Sequence, residues 1–95
     1  MTELEFTPEG QAPGLIFPGT HILIAMGPAD EEFRASLLTA LLEAGARRTA
    51  TPTAHRFSRT GRYQSVHIEV DVASREELES LYALIKAHPG VVFRL

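Results

Sequence analysis

An α+β domain, with two helices laid on one side of a four-stranded antiparallel sheet, is the fold that these 95 residues predict. Three observations carry it. Strand-like and helix-like stretches follow the order strand, helix, strand, strand, helix, strand; residues 63–72 alternate in side-chain character with a period of two; and Gly or Pro stands at most of the junctions. Chain length accommodates about one domain, and 44% hydrophobic against 22% charged residues leaves room for one modest core.

Residues 1–19 carry Pro8, Gly10, Pro13, Gly14, Pro18 and Gly19, too many breakers for a helix or ladder to propagate, so they read as a flexible tail ahead of a domain spanning 20–95. Thr20 to Met26 is short, β-branched at three places and halted by Gly27-Pro28, as a buried strand would be. Asp30 is placed to cap a helix, Glu31 and Glu32 complement its positive end, and Phe33, Leu37, Leu38, Leu41 and Ala44 recur at helical spacing until Gly45. Arg47 to Phe57 alternates threonines, but Pro52 deletes a ladder donor, which predicts an irregular edge strand. Ser58 to Arg62 is a hairpin turn with Gly61 at a position suited to positive φ.

From Tyr63 to Val72, Gln64, Val66, Ile68, Val70 and Val72 share one face, while Tyr63, Ser65, His67, Glu69 and Asp71 share the other. Ser74-Arg75-Glu76-Glu77 is a capping box, and Leu78, Leu81, Tyr82 and Ile85 follow at amphipathic-helix spacing. His88-Pro89-Gly90 ends that helix, and Val91 to Leu95 is read as a last short strand. The sum is a ferredoxin-like βαββαβ arrangement, in which right-handed crossovers put both helices on one face and leave the other open. Function is to be sought on that open face.

Composition excludes several activities. With no cysteine there is no disulfide framework, thiolate nucleophile or Cys-ligated metal. A net charge of −3 supplies no global field toward nucleic acid or anionic lipid. The first 15 residues hold Glu3, Glu5 and Glu9 and no Lys or Arg, unlike a secretory signal, and the longest apolar run is far below the ~20 residues that span a membrane. A cytoplasmic setting with no membrane partner is the expectation.

Several segments together resemble the YbeD-like family of small bacterial proteins. They are Phe17-Pro18 before the first strand, Met26-Gly27 at its end, the hairpin Ser58-Arg59-Thr60-Gly61-Arg62-Tyr63-Gln64-Ser65-Val66, the stretch Leu78 to Tyr82 and the ending Val91 to Leu95. The most specific piece is S-x-x-G-x-Y-x-S. Two departures are visible: Ile24 stands where the family usually has a Lys, and Arg59-Thr60 where it has a Ser-Lys pair. The resemblance implies an ACT-like fold. ACT-like domains typically bind small effectors, often amino acids, at dimer interfaces, so a homodimer that regulates a partner in trans is what it implies here.

The candidate ligand- or partner-binding residues are Arg56, Arg59, Arg62, Tyr63, Ser65, His67, His21 and Gly27. Arg47, Arg48, Arg56, Arg59 and Arg62 fall in a stretch with no acidic residue, which either holds phosphate or carboxylate groups or simply keeps an edge soluble. Nucleic acid is the alternative partner for that edge, yet Tyr63 alone supplies an aromatic where base stacking needs two or three, so it is not the expected one. His21 and His67, with Glu69, are expected to share the open face, close to a metal-ligand set but without a known register, and no metal or other cofactor is assigned. Gly27-Pro28 precedes a helix N-terminus that could accept an anion, although Asp30, Glu31 and Glu32 already occupy it. Ser65 and His67 have no identifiable third member for nucleophilic catalysis, so the expectation is a regulatory or adaptor domain and not an enzyme.

Overall fold

A computed structural model describes residues 16–92. It contains β1 (Gly19–Pro28), α1 (Glu31–Glu43), β2 (Arg47–Arg48), β3 (Ala54–Phe57), β4 (Tyr63–Val72) and α2 (Arg75–Ala87). The four strands form one antiparallel sheet with β4 inside it: β1 lies along one side, and β2 and β3 both lie along the other. This is the expected α+β architecture, consistent with a ferredoxin-like βαββαβ fold.

The helices start and stop where their side chains dictate. Asp30 accepts the Phe33 N–H at 2.6 Å to open α1, and Ser74 accepts the Glu77 N–H at 3.2 Å to open α2. Glu77 in turn accepts the Ala73 N–H at 2.8 Å, so the donors at that end are met reciprocally. After Glu43 the chain turns through Gly45 at φ +98°, and the Ala46 and Gly45 amides cap the Leu41 and Leu42 carbonyls at 3.0 Å each.

Leu23 and Ala25 of β1, Val66 to Val72 of β4 at every second position, Phe33, Leu37 and Leu41 of α1, and Leu78, Leu81 and Ile85 of α2 form a single buried cluster. Both helices therefore cover the same face of the sheet. Gln64 is the polar member of that face, 1% exposed and fully engaged. Its amide nitrogen donates to the Pro28 and Asp30 carbonyls at 2.7 and 2.9 Å, and its oxygen accepts from Arg34 at 3.0 Å. The turn between β1 and α1 is thus tied to the middle of the sheet.

Two elements differ from expectation. The second strand, read as one irregular run from Arg47 to Phe57, is two strands. Pairing continues through the Thr49 N–H to the Glu69 carbonyl at 3.1 Å and resumes with Ala54 opposite His67, so residues 50–53 stand against Ile68 alone. Pro52 has no N–H to give, and the Thr51 N–H turns back to the Thr49 hydroxyl at 3.1 Å. The last strand, expected over Val91 to Leu95, is present in the described residues as one bridge, Val92 to Met26, with an N–H to carbonyl distance of 2.9 Å. Residues 93–95, like residues 1–15 of the expected tail, lie outside the described residues.

Candidate functional site

Register decides which side chains meet on the open face. Directly opposed residues point to the same side of a sheet. Ile22 faces Glu69, Ile24 faces His67 and Met26 faces Ser65 across β1 and β4, while Ala54 faces His67 and Arg56 faces Ser65 across β3 and β4. His67 therefore sits between Ile24 and Ala54, and Ser65 between Met26 and Arg56. Ile22 and Ile24 remain 55% and 46% exposed, because among the described residues no helix covers this side.

The Ser65 hydroxyl lies 3.2 Å from Nε2 of His67, and the Thr49 hydroxyl donates to Glu69 at 3.2 Å. Thr51 and Pro52, in the interruption between β2 and β3, form one wall of a concavity of about 470 Å³, lined also by Ile22, Ala54, His55, Arg56, His67 and Glu69. Its floor is apolar, with a guanidinium on one side of His67 and a carboxylate on the other.

Of the expected site residues, Arg56, Tyr63, Ser65 and His67 come together on this face. His21 does not. It stands opposite Val70, a core residue, so it has the parity of the helix-covered side, and its ring stacks on Phe17 with centroids 5.0 Å apart. The expectation that His21, His67 and Glu69 share a face is corrected by that single step of register; among the described residues no three His, Asp or Glu side chains gather as metal ligands. Gly27 is likewise on the helix-covered side, with the Phe33 ring so close that an added Cβ would have to displace it, which makes it a packing position.

The arginines are dispersed. Arg47 forms a paired contact with Glu77 of α2 at 3.1 and 3.3 Å, whereas Arg59 and Arg62 lie in the exposed hairpin beyond the strand ends. The Ala73 N–H, and then the Arg47 guanidinium, hold the Glu77 carboxyl below the usual carboxylate range. Arg47 is thus a structural group.

The sequence reading missed the apolar floor and the wall. Ile22 and Ile24 sit in a run apolar on both faces, and only their pairing with Glu69 and His67 places them on the uncovered side. Pro52 and the threonines around it were the available signal for the wall.

Residues 12–95 match the family model described as a protein of unknown function, DUF493. The chain is similar to a UPF0250 protein of Stenotrophomonas maltophilia, 32% identical over 92 residues that cover 97% of this chain and all of the relative. It is also similar to one of Xanthomonas axonopodis, 33% identical over 82 residues covering 86% of this chain and 89% of the relative, and to one of Xanthomonas campestris, 29% identical with 97% and 100% covered. No solved structure matches. The chain belongs to the DUF493/UPF0250 family of small bacterial proteins of unknown function, the YbeD-like family that its hairpin and its flanking segments resemble.

Proposed function

We propose that this protein is a non-enzymatic regulatory domain whose open sheet face takes a small zwitterionic effector, an amino acid with an apolar side chain. The observation that supports it is the concavity in which Arg56 and Glu69 flank His67 above Ile22, Ala54 and Pro52. A guanidinium suits a carboxylate, a carboxylate suits an ammonium, and the apolar floor suits an aliphatic side chain. The ACT-like resemblance supports the same class of ligand, and a homodimer acting on a partner enzyme in the cytoplasm belongs to the same reading. Catalysis has less support, since Ser65 and His67 are joined but among the described residues no third side chain is seen to complete a triad with them.

Titration of isotope-labelled protein with leucine, valine and phenylalanine tests it. Shifts confined to Ile22, Ala54, Arg56, His67 and Glu69, lost in Arg56→Gln and in Glu69→Gln and absent with N-acetyl-leucinamide, are expected. Equal binding of the uncharged amide would overturn the reading, and sedimentation at rising concentration tests the homodimer. The rival reading, nucleic acid on the arginine edge, has less support because Arg47 is engaged by Glu77. It predicts oligonucleotide binding that weakens steeply with salt.

A further inference from the structure

We infer that the outer edge of β3 is a docking edge for an extended segment of a partner protein in which acidic and apolar residues alternate. The proposal goes beyond the effector reading, because it uses the backbone of the edge; the two share the Arg56 side chain.

In an antiparallel pair, successive residues direct their N–H and C=O groups alternately toward and away from the neighbour. The Ser58 N–H bonds the Tyr63 carbonyl at 2.8 Å and sets the phase for β3. Arg56 and Ala54 therefore point their backbone groups at β4, while His55 and Phe57 point theirs outward. Among the described residues β3 pairs with β4 and with no other strand, and all four of its residues are exposed. The excursion of residues 50–53 separates β3 from β2, leaving a short stretch of edge open to an added strand.

Charge and parity define what fits. No acidic residue occurs from residue 45 to residue 67, where Arg47, Arg48, Arg56, Arg59 and Arg62 are found, and the Arg56 side chain shares the open face with Ala54. His55 and Phe57 occupy the opposite side, their rings 5.1 Å apart edge to face, with Phe57 51% exposed. An added strand would place acidic residues beside Arg56 and aliphatic or aromatic ones beside Phe57. A second copy of this chain paired through two β3 edges centred on Arg56 is disfavoured, because that register sets like charges directly opposite one another.

The test uses an acetylated, amidated octapeptide alternating Glu and Val, with a Lys-Val octapeptide as control, and reads amide hydrogen exchange residue by residue. Exchange at His55 and Phe57 is expected to slow roughly tenfold at saturating Glu-Val peptide, with weaker binding at high salt and no protection from the Lys-Val peptide. His55→Pro and Phe57→Pro each delete one outward N–H without touching the β3–β4 bonds, and each is expected to abolish protection of the remaining amide while the chain stays folded. Equal protection by the Lys-Val peptide, binding that leaves both amides unprotected, or unchanged binding by whichever proline variant is folded would overturn the proposal. Concentration-dependent protection without any peptide would assign the edge to a second copy and overturn it as well.

Discussion

The two sides of β4 are built differently. Along β1 the ladder runs from Gly19 opposite Val72 to Pro28 opposite Tyr63 without a break; along the other side it stops after Thr49 and resumes at Ala54. Both neighbours meet the same strand, so the difference comes from what they bring to it. β1 places Leu23 and Ala25 in the core, whereas β2 and β3 contribute no buried residue. A net backbone hydrogen bond is worth about 1 kcal/mol and a buried Leu or Ile side chain about 1.5–3, so continuity is enforced where side chains are buried and relaxed where they are not. The relaxed side is free to carry a wall, a concavity and an unpaired edge.

Substitutions can break or sharpen this contrast. Leu23→Ala on the continuous side is expected to cost about 3 kcal/mol in urea denaturation, through lost burial and the cavity left behind. Gly27→Ala is expected to cost about 2 kcal/mol, because its new Cβ meets the Phe33 ring and the buried turn has little room to move. Gln64→Leu follows at about 1.5 kcal/mol, since it orphans the Pro28 and Asp30 carbonyls that the amide nitrogen satisfies.

Glu77→Gln tests the link from Arg47 of the broken side to α2. The folded carboxyl is held below its ordinary range, so its stabilisation is complete above the unfolded value and fades as the pH falls through the lowered one. The variant is therefore expected to be less stable than the parent at neutral pH and to converge with it in acid, by thermal melts across that range. Pro52→Ala on the broken side is expected to change stability by no more than about 0.5 kcal/mol. A Pro52→Ala cost comparable with that of Leu23→Ala would dissolve the contrast between the two sides.

Much of the fold was legible in residue pattern. The alternation from Tyr63 to Val72 specified which face of β4 is buried, and Asp30, Ser74 and Glu77 marked helix starts at the positions where they act as caps. The candidate site was legible in part. Tyr63, Ser65 and His67 were placed by strand parity, which propagates reliably within one strand, whereas Arg56 stood out only by charge clustering and its face was fixed by the β3–β4 register. His21 was misplaced because β1 is apolar on both faces, so its own sequence carries no signal for which face is which. The role of Gln64 was invisible for a related reason: its partners are carbonyls of a turn 34 and 36 residues away in the chain.

The order of elements, their caps and the buried face of β4 were set locally, because spacing, capping chemistry and side-chain alternation act over a few neighbouring residues. Which side of β1 joins His67, how far the ladder reaches beyond Thr49, and the meeting of Arg56 with Glu69 across an apolar floor were decided only when the strands came into register. That register is the product of burying Leu23, Ala25, Val66 and Ile68 together under two helices, a long-range condition that no short stretch of the chain contains.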